Sequence, residues 1–264
     1  MPVDNEMYDR LSHTWWEEDG FLNVLKSALN PSRLGYMRRI LTEDLGHDPK
    51  RLRILDVGCG GGLLAEEFAR LGCAVTGVDP STDSLEVARG HAREAELDID
   101  YREATGDALP FADGEFPAAY CCDVLEHVDD IGRTVAEIAR VLEPGGVFLY
   151  DTVNRTLRSK LLMIKLSQDW SATAWAEPDL HEFDMFIRPE ELEAHLRQAG
   201  LEVRDRVGFA AANPAGAVKA MWDRGHGKIT YREMGERLGV KESRDTSSSY
   251  GGYALKPTGG LSES

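Results

Sequence analysis

With 264 residues, 42% hydrophobic and 29% charged, the chain has room for one large domain and a composition that excludes a disordered protein. A net charge of −16 argues against non-specific nucleic-acid binding, so no nucleic-acid partner is expected, and the lack of a run of about 18 apolar residues excludes a spanning helix. The first thirty residues lack the apolar core of a secretory signal, and Cys59, Cys73, Cys121 and Cys122 lack C-x-x-C spacing and read as reduced thiols, so a cytoplasmic protein is expected.

Residues 1–50 read as an N-terminal helical extension that ends in a basic segment, Lys50 to Arg53. A regular alternation follows. A first strand at 54–57 runs into Gly58-Cys59-Gly60-Gly61-Gly62, after which Leu63, Leu64, Phe68 and Leu71 recur at helical spacing. A second strand at 74–78 ends at Asp79, with Ser81 placed to cap a helix that runs to about residue 95. Strands at 98–103 and 118–122, a helix at 131–141 closed by Pro144-Gly145-Gly146, and a fifth strand at 147–152 complete the regular part. Residues 154–188 read as an irregular insert with one amphipathic stretch. A helix at 190–199, strands at 202–208 and 250–255, and a frayed tail at 259–264 follow. Short apolar runs separated by helical patterns mean βαβ units. The prediction is an α/β fold: a seven-stranded, mostly parallel sheet with helices on both faces, in one domain over 51–258.

The first βα turn carries the strongest chemical signal. A strand that turns sharply into a helix aims free N–H groups at a ligand, and glycine lets that ligand approach the backbone. Gly58, Gly60 and Gly62 supply the turn, and Asp79, at the end of the next strand, can accept both hydroxyl hydrogens of a ribose. The run Gly60 to Ala65 also satisfies the G-x-G-x-x-A pattern of nicotinamide enzymes, so spacing alone leaves two cofactors open. Charge separates them. Asp56, Glu66 and Glu67 lie close to the turn, where acids would repel a pyrophosphate but favour the sulfonium and ammonium of S-adenosylmethionine. Asp107 is placed to accept from an adenine amino group, and Cys122 sits at the carboxyl edge of the sheet, where ligands bind in such folds.

At these residues the chain resembles class I S-adenosylmethionine-dependent methyltransferases, whose fold is Rossmann-like: LDVGCGGG (55–62), VTGVDPS (75–81), GDALPF (106–111), DVLEHV (123–128) and LEPGG (142–146). Trp15-Trp16, Asn30-Pro31-Ser32-Arg33, Asn154-Arg155-Thr156 and the run from Phe186 to Leu192 make it similar to the 3-demethylubiquinol 3-O-methyltransferase family of ubiquinone biosynthesis. The resemblance implies O-methylation of a polyprenyl catechol. It also implies that Arg33 binds the carboxylate end of the cofactor, with Gly58, Asp79 and the backbone at Cys122. Two departures stand out: Leu180-His181-Glu182 replaces the usual Thr-His-Asp, and Asp123 replaces a more usual Glu.

A phenol needs a base or a metal to become nucleophilic at neutral pH. Asp123, Glu126 and His127 are spaced i, i+3 and i+4, which on a helix would place them on one face as a divalent-metal site, with magnesium the ion the resemblance points to. Without a metal, Glu126 and His127 close the cofactor pocket. His181, in the insert, is the alternative base, beside Glu126 and His127 as catalytic candidates. Residues 157–175, with Leu157, Leu161, Trp170 and Trp175 among Arg158, Lys160 and Lys165, form a basic, apolar island with two readings. One is a lid resting on the inner face of a membrane, giving access to a lipid-soluble aromatic substrate, as the resemblance implies; the other is a helix packed on its own domain. Three rival functions remain: methylation of an amine, carboxylate or natural-product phenol; a nicotinamide oxidoreductase; and a catalytically silent binding module.

Overall fold

The computed structural model describes residues 6–178 and 180–258, so the tail expected at 259–264 lies outside it. Eight strands form one sheet in the order β3-β2-β1-β4-β5-β8-β6-β7. Strands β1 (Arg53–Val57), β2 (Ala74–Asp79), β3 (Ile99–Glu103), β4 (Phe116–Cys122) and β5 (Leu142–Val153) are mutually parallel. Strand β8 (Ser249–Leu255) runs antiparallel between β5 and β6 (Glu202–Ala211).

The sheet has one strand more than the seven expected. The eighth, β7 (Val240–Ser243), pairs antiparallel with the end of β6 at the sheet edge. It escaped the sequence reading because Val-Lys-Glu-Ser is short and half polar, without the alternation that marks a buried strand. Two helices before it, α9 (Pro214–Gly225) and α10 (Tyr231–Leu238), fill a stretch that carried no assignment.

Period-two alternation in the central strands feeds two cores. Ile54, Ala118 and Tyr120 face one side with Phe68 of α4 (Leu63–Arg70) and Leu85 of α5 (Thr82–Glu94). Leu55, Val57, Ala119 and Cys121 face the other, against Val135 and Ile138 of α6 (Ile131–Val141) and Leu192 and Leu196 of α8 (Pro189–Gln198). Ser81 caps α5 as expected, its hydroxyl accepting from the Ser84 amide at 3.1 Å. The N-terminal extension folds as α1 (Glu6–Leu11), α2 (Asn23–Ala28) and α3 (Asn30–Arg39). Val24 and Ala28 of α2 join Ala217, Ala220, Met234 and Leu238 of α9 and α10 in a third apolar cluster. The insert is more ordered than expected: α7 (Leu157–Ser159) continues into π-helical turns over Lys160–Asp169. All four cysteines are free.

Candidate active site

A cavity of about 590 Å³ opens where the carboxyl ends of β1, β2, β4 and β5 meet, with Val57, Asp79, Cys122 and Val153 in its wall. Strand order reverses around β1, so the helices on either side diverge and leave a crevice. Of the residues singled out in the sequence, Arg33, Gly58, Gly60, Asp79, Asp107, Cys122, Asp123, His127 and His181 all line this one cavity.

Asp79 accepts from the Gly60 amide at 2.8 Å and the Ser81 amide at 2.9 Å. Burial raises its carboxyl to about 6 despite those two bonds. Each oxygen keeps a free lone pair for a ligand hydroxyl. The glycine turn is roofed by the N-terminal segment. A side chain at Gly60, where φ is +50°, would strike the indole of Trp15, whose Nε1 donates to the Ser84 hydroxyl at 3.0 Å. Trp16 Nε1 donates to the Gly61 carbonyl at 2.8 Å, and its ring stacks on His91 at 3.4 Å. Protein packing thus shares with any ligand the demand for glycine here, and the tryptophan pair supplies it.

Three acids invoked on grounds of charge do not reach the cavity wall. Asp56 is buried, accepts from the Tyr120 hydroxyl at 2.8 Å, and is pushed up to about 8 by burial, which leaves it largely neutral near pH 7. Glu66 is fully buried and turned to Arg70 and His91, and Glu67 pairs with Arg70 at 3.2 Å. Gly62 is also absent from the wall; it takes the left-handed N-cap position of α4 (φ +80°), close against Tyr101. The acids lining the cavity are instead Asp79, Asp107, Asp123, Asp129, Asp130 and Asp151. Asp107 is part-exposed and lies 3.5 Å from the Arg133 guanidinium. The Cys122 thiol is held well above its usual range by burial.

Arg33 is 3% exposed and reaches the cavity from α3. Its guanidinium grips Asp151 with Nε and Nη2, ion-pairs with Asp123, and donates to Asn30 at 3.3 Å. Asp151, at the end of β5, also accepts from the Asp123 amide at 3.0 Å. Asp151 falls within the expected fifth strand, where the sequence marks it with no role of its own.

The expected Asp123, Glu126 and His127 metal site is not what the fold assembles. Asp123 has φ +52°, and the turn after it is a 3-10 helix over Leu125–His127, so the i, i+3, i+4 face never forms and Asp123 swings to Arg33. The donors brought together are Glu126, His127 and His181, with ligand atoms all within 4.8 Å of one another. Glu126 Oε2 accepts from the Thr152 hydroxyl at 2.8 Å, whereas Glu126 Oε1 and His127 Nδ1 are buried without a hydrogen-bond partner among the described residues. A three-donor cluster in which Glu126 and His127 each keep a buried, unpartnered polar atom suits a divalent cation. Burial, then the Asp123 charge, raises Glu126 to about 8. Burial, then His181, lowers His127 to about 3, and burial lowers His181 to about 4. Both imidazoles are therefore neutral near pH 7 and offer lone pairs. Tyr8 of α1, unremarked in the sequence, closes this end with its hydroxyl 3.4 Å from His127 Nε2.

The cavity also has an apolar arm, lined by Val24 and Ala28 of α2, Ala217 and Met221 of α9, Leu238 of α10 and Val240 of β7. Leu161, Leu162 and Met163 bring the insert to the same wall, while Leu157 and Trp170 stand out at 83% and 51% exposure. No helix among the described residues is long and apolar enough to cross a membrane.

A methyltransferase-domain family model matches residues 55–150. The ubiquinone biosynthesis O-methyltransferase of Azorhizobium caulinodans is 38% identical over 214 residues, covering 79% of this chain and 83% of the relative. The enzyme of that name from Chelativorans sp. is 40% identical over 209 residues, covering 77% and 81%. Among solved structures, an S-adenosylmethionine-dependent methyltransferase from Thermotoga maritima, described as a possible histamine N-methyltransferase, superposes with TM-score 0.62 at 21% identity, over 95% of this chain and 99% of that one. A geranyl diphosphate methyltransferase in complex with GPP and sinefungin superposes with TM-score 0.58, at 19% identity, over 84% of this chain and 77% of that one. These two carry the fold.

Proposed function

The chain belongs to the ubiquinone biosynthesis O-methyltransferase family, and we propose from its site that it methylates a phenolic oxygen of a hydrocarbon-tailed catechol, with S-adenosylmethionine as donor. The observation that carries this is one cavity lined by Asp79 at one end, by His127 and His181 of the donor cluster, which Glu126 completes without lining the cavity, and by an apolar arm.

At the nucleoside end, Asp79 accepts the ribose hydroxyls and Asp107 the adenine amino group, while the backbone at Gly58, Gly60 and Cys122 lines the bed. Arg33, held by Asp151, faces the amino-acid end. Asp56 and Gly62 support the turn from beneath rather than touching the ligand. The acceptor oxygen attacks the methyl carbon in line, the C–O bond forms as the C–S bond breaks, and its electron pair neutralises the sulfonium, leaving S-adenosylhomocysteine. The phenol proton passes to the donor cluster. Glu126, raised to about 8, is the most basic member and accepts the proton when it is ionised, while burial keeps His127 and His181 neutral and only weakly basic. Glu126, His127 and His181 are also the residues that would hold magnesium, which would supply a Lewis acid to lower the phenol's pKa.

Leu157 and Trp170, exposed on the insert, support a peripheral membrane contact made through apolar side chains for a lipid-soluble acceptor, since Arg158 and Lys165 are paired with Asp245 and Asp169.

The test is transfer of labelled methyl from S-adenosylmethionine to a panel of tailed catechols, simple catechols and amines, with product masses identified. The reading expects O-methylated catechols; transfer confined to amines overturns it.

A further inference from the structure

The fold's unanticipated elements build the part of the cavity that its polar residues do not explain. Helices α9 and α10 gather with α2 in one apolar cluster that Val240 of β7 joins, and Val24, Ala28, Ala217, Val218, Met221 and Leu238, none with a hydrogen-bonding side chain, line the cavity there. Two features mark this as a ligand channel rather than a packing fault. The wall is continuous with the cavity that holds Asp79 and the donor cluster, and it ends at an apolar mouth, where Val218 and Leu161 are 41% and 43% exposed although both line the cavity. Ala28 of α2 and Ala217 of α9, both 5% exposed, line the cavity and share one apolar cluster, so a larger side chain at either takes up cavity space.

We propose that this arm, gated by Ala28 and Ala217, is the subsite that takes the first segment of the acceptor's hydrocarbon tail and passes the rest out between Val218 and Leu161. The inference rests on the catechol reading above, since it requires the head group to sit at the Glu126, His127 and His181 end. An apolar wall can select only by burying methylenes, so the arm reads tail length up to its mouth and is indifferent beyond it.

A series of 4-n-alkylcatechols from methyl to octyl tests this on the full chain. With the wild type, kcat/KM is expected to rise by about fourfold per methylene, the ratio corresponding to about 0.8 kcal/mol per buried CH₂, and then to level off once the chain reaches the mouth. With Ala217→Phe the levelling is expected at a shorter chain. S-adenosylhomocysteine binding reports whether that variant is folded; if it is not, the wild-type series and Val218→Ser at the mouth decide. A flat series with good transfer to every catechol overturns the arm's role and leaves the catechol reading standing. Ala217→Phe levelling at the wild-type length also overturns it. Failure to methylate any catechol, whatever its tail, overturns both.

Discussion

The Tyr120 hydroxyl donates to the Asp56 carboxylate at 2.8 Å, two residues before the glycine turn begins, and seals that acid inside the sheet. Its carboxyl lies at about 8 when folded, against an ordinary value of 3.8. The folded state therefore binds a proton more tightly than the unfolded one, and stability falls as pH rises from about 4 to about 8. Asp56→Asn keeps an acceptor for Tyr120 and removes the titration. Urea denaturation of both proteins at pH 5 and pH 8.5 should show the variant gaining on the wild type at the higher pH; an equal difference at both would show that Asp56 is already ionised.

Arg33 is stranded if its two-pronged partner is lost. Asp151→Ala should destabilise the fold by about 3 kcal/mol or more, because the buried guanidinium keeps only Asp123 as a charged partner. The double variant Arg33→Met with Asp151→Leu should recover much of that stability in denaturant while S-adenosylhomocysteine affinity, measured by calorimetry, stays low. Recovery of affinity as well would show that Arg33 has no part in binding.

Trp15 is 7% exposed and roofs the glycine turn. Trp15→Ala should cost about 3–5 kcal/mol in stability, as buried aromatic truncations do, and should speed S-adenosylhomocysteine release in stopped-flow measurements. A variant that loses stability but keeps the wild-type release rate would confine Trp15 to packing.

How much of this the sequence carried depends on which residues are asked. The strands, the glycine turn and the carboxylate at Asp79 follow from local pattern, because alternation and turn chemistry are local. The glycine spacing alone also fits nicotinamide enzymes, and the curated relatives decide between them. The direction of each acid was not legible: Asp56 alternates inward to Tyr120, and Glu66 spends its charge on Arg70 and His91. The donor cluster was half legible. His127 and His181 are 54 positions apart in the chain, so their meeting is tertiary, and one left-handed residue, Asp123, undoes the helical face that spacing suggested. The α9, α10 and β7 segment, which lines much of the apolar arm, went unassigned although it carries helix signals: Asn213 and Pro214 open α9, and Thr230, Glu233 and Gly239 cap α10.

The donor cluster makes its own prediction. If Glu126, His127 and His181 hold a divalent ion, chelator should lower methyl transfer by at least about tenfold, with recovery on adding magnesium. Glu126→Gln should show low transfer that neither chelator nor magnesium changes much. Wild-type activity indifferent to chelator would assign the cluster to proton transfer alone.

The most direct measurement is calorimetric titration of S-adenosylhomocysteine into the wild type and Asp79→Ala. Two hydrogen bonds to a buried carboxylate should be worth a loss of at least about tenfold in affinity. Equal affinity in the two proteins would mean that the ribose is not held at the end of β2, and the placement of donor, acceptor and arm in this cavity would fall with it.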